Sequence, residues 1–342
     1  MKKLLQLCNV PSMTGGTFGC VYSIAKCLPD WSHLAIAVNS GTGEPPKESS
    51  IYFPGQIIRQ SPPIPSEIIA EFEPDCVIFH NLHPNAMPIY LDPDVPKFYY
   101  QHSAAKTCAA ARNRCHVWWV VSKYLADQVG VDDSLILHQP IPIPGKDENL
   151  IDRSDRSETC KLVIGKLCTP HSSKWDADDT VPFYGFLRDQ HPDVHWEFVG
   201  CTSVELQQKL IERLGDSCTF HPASYTARSL MHTWDALVYY NPKVPESYGR
   251  TVCEAQRCGC ISIVTNSGGF KEQITNGLDG YLCTEHEEFS SAIRYIKNDA
   301  LRSEVAMQGK IAGDFRGSLA HWRAEFLKWY TTTLKVIGDG KA

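Results

Sequence analysis

LLQLCNVPSMTGGTFGCVYSIAKCLPDWSHLAIAV, residues 4–38, decides the fold class. The apolar run LLQLCNV (4–10) is too short for a buried helix and fits a strand. It gives way to a glycine-rich turn, TGGTFG (14–19), after which Val21, Ile24, Ala25 and Leu28 recur at i, i+3, i+4 and i+7. That spacing lines one face of a helix. LAIAV (34–38) is then a second strand, closing a βαβ unit of the kind that builds parallel sheets covered on both faces.

The same grammar continues through DCVIFHN (75–81), KFYYQHS (97–103), VWWVVS (117–122) and LILHQP (135–140), all expected as strands. IPIPGKDENLIDRSDRSETC (141–160) interrupts it with prolines, a glycine and dense charge, the composition of a linker. Strand-like runs then resume at KLVIGKL (161–167), VHWEFVG (194–200), ALVYY (236–240) and ISIVT (261–265). The expectation is an α/β chain of two Rossmann-like, doubly wound parallel-sheet domains, residues 1–150 and 151–317, facing a cleft at their carboxyl strand ends. A last helix carries Trp322, Phe326, Trp329 and Tyr330 on one stripe, and residues 318–342 are expected to pack back on the first domain.

Composition narrows the function classes. With 342 residues, 43% of them hydrophobic and 21% charged, the chain can bury a sizeable core, and an ordered, two-domain fold is expected. A net charge of −6 gives no reason to expect a nucleic-acid partner. The start MKKLLQLCNVPSMTGG lacks the apolar core of a signal peptide. No run of 18 apolar residues exists either. Fourteen cysteines follow no regular framework, so a cytoplasmic protein with reduced thiols is expected.

Two clusters carry chemistry. Gly15 and Gly16, at the first strand-to-helix turn, let a backbone approach a ligand closely beside helix N–H donors. Their spacing is not that of a dinucleotide fingerprint, and no acidic residue ends the second strand. In the second half, Lys166 and Lys174 flank a loop at a strand end, which suits a diphosphate. PESYGRTVCE (245–254) then runs from loop into helix, with seven residues between Glu246 and Glu254. Glu246 can reach a neutral polyol, Glu254 stands where a ribose diol would sit, and the helix start near Arg250 suits an anion. Ser267-Gly268-Gly269 offers a second stretch of bare backbone. Together these describe a nucleotide-sugar pocket.

PESYGRTVCEAQRCGCISIVTNSGGFKEQITNGLDGYL resembles the signature segment of retaining GT-B glycosyltransferases of family 4 (glycosyl transferases group 1). That family carries E-x7-E, E-A-x-x-x-G, a buried strand, a G-G turn and N-G-x-x-G in this order. IGKL…K, VGC and VSKYLADQV extend the likeness, with Lys166 standing where the family usually has arginine. The resemblance implies that Glu254 holds the ribose and Glu246 the donor-sugar hydroxyls, with Lys166 and Lys174 on the diphosphate. Backbone at Tyr248, Gly249, Arg250 and Thr251 and at Gly268, Gly269 and Phe270 would line sugar and phosphates. Gly15 and Gly16 would face diphosphate and acceptor, and His102, in YYQHS, would contact the donor sugar.

The implied reaction moves a hexose from a UDP- or GDP-sugar to an acceptor hydroxyl with retention, the leaving phosphate taking the acceptor proton. The acceptor would be a glycan, a lipid-linked group or a small molecule in polysaccharide or glycoconjugate synthesis. Catalytic weight would fall on Glu246, His102 and Lys174. The nucleotide sugar is then a co-substrate and no cofactor is expected. No metal is expected; the pair Asp92-Pro-Asp94 lies in a proline turn far in sequence from the donor cluster. His80 and His83 fit ordinary packing better than acceptor binding, and Cys258 with Cys260 lacks the partner pair of a zinc site. Five basic residues from Lys97 to Lys123, with no acid among them, suggest weak association with a membrane surface. Rival functions are a sugar-nucleotide epimerase of the same architecture, a non-catalytic sugar-nucleotide-binding homologue and a glycosidase.

Overall fold

The computed structural model describes residues 1–38, 42–88, 90–104, 108–145 and 162–340. The chain divides into two compact units, 1–142 with 318–342, and 143–317. Most of the 141–160 segment lies outside the described residues, as does Asn39 at the end of the second strand.

The first unit holds one six-stranded sheet of β1 (Lys3–Cys8), β2 (Ser32–Val38), β3 (Gln56–Gln60), β4 (Cys76–His80), β5 (Lys97–Gln101) and β6 (Val117–Val120), in the order β3-β2-β1-β4-β5-β6. Every pairing is parallel, so all carboxyl ends lie along one edge, and the order reverses between β1 and β4. Strand alternation splits the core in two. Leu5, Leu7, Val77, Phe79 and Tyr99 pack in one buried cluster. Gln6, His80, Phe98 and Trp119 occupy the alternate positions, and the Gln6 side chain reaches the Val21 carbonyl of helix Gly16–Cys27. The final helix, Leu319–Asp339, closes that second face. Phe326 is fully buried, with ring centroids 5.8 Å from Trp31, 5.9 Å from Phe98 and 6.2 Å from Trp119. Arg323 adds a bidentate pair to Asp30 at 2.5 and 2.9 Å.

The second unit repeats the plan with β7 (Leu162–Leu167), β8 (Val194–Val199), β9 (Cys218–His221), β10 (Ala236–Tyr239), β11 (Ile261–Thr265) and β12 (Tyr281–Cys283), ordered β12-β11-β10-β7-β8-β9. Its strands are also all parallel, and the order reverses between β7 and β10. Such reversal points open a crevice at the carboxyl edge where ligands bind.

LILHQP (135–140) is not a strand. It makes a single bridge, Ile136 to Val120, after a short 3-10 turn, Asp133–Leu135. No helix among the described residues is long and apolar enough to cross a membrane. Twelve of the described cysteines are free thiols. The described cations of the basic run are engaged by their neighbours. Lys97 is buried, with Nζ donating to the carbonyls of Asp92, Pro93 and Val95. Arg112 lies over the Trp118 ring, and Lys123 pairs with Asp127 and Asp133. Lys106 lies outside the described residues. Asp92 Oδ1 accepts from Asp94 N at 2.9 Å, the local turn that an Asp-Pro-Asp sequence favours.

Candidate active site

The second unit gathers its expected site residues beside the β7/β10 reversal. β10 ends in Tyr239, and residues 240–249 cross the sheet edge before helix Arg250–Arg257 begins. Glu246 sits in this crossing, about one-fifth exposed. Lys174, from the loop after β7, bonds Glu246 Oε1 through Nζ, and the Tyr239 hydroxyl donates to the same oxygen at 2.6 Å. No described residue bonds Glu246 Oε2. One carboxylate oxygen is therefore held by two protein donors, and the other carries no bond from a described residue.

The glycines serve chiefly to bring two loops together. Gly268 has φ +57°, and a Cβ there would lie 2.4 Å from the Glu246 carbonyl oxygen. A Cβ on Gly269 would lie 2.6 Å from the Ser247 carbonyl oxygen, and Gly269 N donates to Glu246 O at 2.8 Å. Gly249, at φ +85°, packs under the Phe270 ring. Gln273 clips the join, its Nε2 bonding the Tyr248 carbonyl and reaching those of Gly249 at 3.3 Å and Gly269 at 3.4 Å. Tyr248 and Phe270 are buried, and Thr251 is half-buried in the first turn of the helix.

Lys166 and Glu254 sit deeper than a surface pocket requires. Lys166 is 1% exposed, with Nζ 4.5 Å from the Trp175 ring centroid, 5.7 Å from Tyr184 and 6.0 Å from Tyr239. It donates to the Tyr240 carbonyl at 3.4 Å, and burial pushes its pKa down. Aromatic faces attract the ammonium and offset part of its lost hydration. Glu254 is buried between two guanidinium groups, with Arg228 Nε 3.3 Å from Oε2 and Arg250 Nε 3.6 Å from Oε1.

In the first unit, Gly15 precedes helix Gly16–Cys27 with φ −84°, and a Cβ there would meet nothing nearer than 3.4 Å. Neither positive φ nor crowding demands glycine at this position. What a glycine leaves there is uncovered backbone at the sheet edge, and Gly16 is exposed. His102, next after β5, is buried and bonded through both ring nitrogens, to His80 and to Gln139. Tyr239, Arg228 and Gln273 were not visible as site residues in the sequence. Tyr239 had a signal, the tyrosine pair closing ALVYY at a strand end. Arg228 and Gln273 had none, because both act through folded proximity.

Residues 183–311 match the model of the family described as glycosyl transferases group 1. A stretch of 157 residues is 27% identical to D-inositol 3-phosphate glycosyltransferase of Paenarthrobacter aurescens (strain TC1), covering 43% of this chain and 36% of that relative. The match thus spans about a third of the curated relative's length. Among solved structures, HepE of Anabaena in complex with UDP and glucose superposes with a TM-score of 0.76 at 17% identity, covering 97% of this chain and all of that one. A glycosyltransferase from Rickettsia africae gives 0.72 at 18% identity, covering 98% and 99%. Sucrose-phosphate synthase from Thermosynechococcus elongatus gives 0.68 at 14%, covering 98% and 100%. These likenesses show the fold. It is GT-B, built of two Rossmann-like units.

Proposed function

We propose that this protein transfers a hexose from a UDP- or GDP-sugar to an acceptor hydroxyl with retained anomeric configuration. The observation that carries this is the Lys174–Glu246–Tyr239 group at the β7/β10 reversal, directly before helix Arg250–Arg257. Lys174 and the helix start answer diphosphate charge. Glu246 Oε2 accepts from a donor-sugar hydroxyl while Tyr239 and Lys174 fix the carboxylate. Glu254, locked by Arg228 and Arg250, presents a fixed anion to the ribose hydroxyls. Lys166 adds a second positive charge from beneath the loop, and His102, Gly15 and Gly16 contribute from the first unit. The group 1 match over 183–311 and the UDP-bound relative of the same fold support sugar transfer. The acceptor is a glycan, lipid-linked or small-molecule hydroxyl.

A screen of UDP- and GDP-sugars by thermal shift tests the donor, since a ligand that binds only the folded state raises the melting temperature. Transfer or slow donor hydrolysis in excess EDTA tests the metal-free diphosphate site. Activity is expected to persist. Loss that Mg²⁺ or Mn²⁺ restores would mean that a cation, rather than Lys174 and the helix start, holds the phosphates. Product formed without any acceptor, as an epimerised nucleotide sugar, would replace transfer with isomerisation.

A further inference from the structure

Four buried side chains at the carboxyl edge of the first sheet form one hydrogen-bonded chain. Gln6 Nε2 donates to the Val21 carbonyl at 3.0 Å, and a carbonyl only accepts, so the Gln6 amide has one orientation. Its Oε1 then faces His80 Nε2 at 3.1 Å and receives that nitrogen's hydrogen. A neutral imidazole carries one ring hydrogen, so His80 Nδ1 keeps its lone pair and accepts from His102 Nε2 at 3.0 Å. His102 therefore bears its hydrogen on Nε2. Its Nδ1, 2.6 Å from Gln139 Nε2, is the lone-pair atom. His80 is fully buried, and burial pushes its pKa down to about 3, which keeps it neutral.

The backbone is gripped by the next residue. Asn81 holds φ at 51°, in the left-handed region that non-glycine residues seldom adopt. Its Oδ1 accepts from His102 N at 2.7 Å, and its Nδ2 donates to Ser103 Oγ at 3.0 Å. His80 and Asn81 thus hold ring and main chain of His102 together. Strained residues of this kind persist where the surroundings over-determine them, often beside functional groups.

We propose that His80 is a positioning residue that, with Asn81, presents His102 in one tautomer, hydrogen on Nε2 and lone pair on Nδ1, so that His102 meets the donor sugar as a hydrogen-bond acceptor. A sugar hydroxyl donates to Nδ1 in place of the Gln139 amide. The acceptor role rests on His102 contacting the donor, as proposed above; the tautomer follows from the hydrogen-bond chain alone. The same place has one rival occupant. Cys20 Sγ and a ring nitrogen each of His80 and His102 lie within 4.8 Å of one another. A cation held by the facing nitrogens would take the Nε2 position that the Gln6-anchored chain assigns to hydrogen.

Long-range ¹H–¹⁵N spectra of histidine-labelled protein at neutral pH read the tautomer directly, with His102 assigned by the signals lost in His102→Asn. The Nε2–H form is expected in the wild type and in His80→Asn, whose Oδ1 falls near the former Nδ1 and accepts the same hydrogen. His80→Leu removes the acceptor and is expected to mix the tautomers. With UDP-glucose and GDP-mannose as probes, kcat/KM for the one that is turned over falls about tenfold in His80→Leu and little in His80→Asn. Affinity for free UDP or GDP stays unchanged in both. An Nδ1–H tautomer in the wild type, an unchanged spectrum in His80→Leu, or stoichiometric Co²⁺ binding abolished by Cys20→Ser overturns the proposal. A wild type that turns over neither probe overturns the acceptor role, and the spectra still decide the tautomer.

Discussion

The Tyr239 hydroxyl donates to Glu246 Oε1 at 2.6 Å across a seven-residue separation, tying the last residue of β10 to the loop it launches. Lys174 reaches the same oxygen from the loop after β7. One carboxylate thus joins the two strands that flank the reversal of strand order.

Glu246→Gln and Lys174→Ala each remove a charged partner from that junction. Each is expected to lower turnover of the donor by roughly 10- to 100-fold, the kinetic equivalent of about 1.5–3 kcal/mol for a charged hydrogen bond. Melting temperatures without ligand should stay near wild type, because both side chains are partly exposed. Turnover near the wild-type value in both variants would remove these residues from the site.

Glu254→Gln acts differently. It keeps the shape but leaves Arg228 and Arg250 buried without their carboxylate. Breaking a buried pair by removing one partner costs about 3–5 kcal/mol. A marked fall in the urea midpoint is expected, together with weaker stabilisation by added UDP or GDP. A variant as stable as the wild type would show that solvent reaches the arginines.

Stability is also expected to fall as pH drops from about 6.5 towards 3. His80 in the folded state has its pKa pushed down to about 3, while an unfolded histidine titrates near the ordinary 6.5. In that window the unfolded chain binds a proton that the folded chain refuses, so stability is complete above the window and declines by up to about 1.4 kcal/mol per pH unit for this group. His33 and His191, whose pKa values burial also lowers, act in the same sense. Urea midpoints at pH 7 and pH 5 measure the slope, which His80→Asn should reduce. An identical slope in that variant would assign the effect to other groups.

Phe326→Ala empties a fully buried position that touches Trp31, Phe98 and Trp119. Large-to-small changes at such sites cost about 3–5 kcal/mol. Calorimetry is expected to show a lowered transition. An unchanged transition would mean that helix Leu319–Asp339 adds little to the first unit.

The sequence displayed the central strands and hid the marginal ones. β1, β4, β7, β10 and β11 are buried on both faces and appear as mainly apolar runs. QIIRQ of β3, CTFH of β9 and YLC of β12 are edge strands, short and half-solvated, and carry no such run. LILHQP had the composition of a strand but finds only one bridge, because tertiary pairing rather than propensity decides. At the site, the PESYG loop and its two glutamates were legible as chemistry. The depth of Lys166 was not, since nothing local announces three aromatic rings arriving from Trp175, Tyr184 and Tyr239. Nor could Gly268 and Gly269 be seen to serve a loop-to-loop contact until Glu246 O and Ser247 O were placed against them.

The division of the chain also sets an order of assembly. Residues 143–317 are contiguous, whereas the other unit needs 318–342 to complete it. During synthesis the second sheet can therefore close on itself while Trp31, Phe98 and Trp119 still await Phe326. A nascent chain stalled before residue 319 leaves these rings uncovered, a patch that chaperones and proteases recognise. Helix Leu319–Asp339 thereby supplies a face that residues 1–142 cannot complete by themselves.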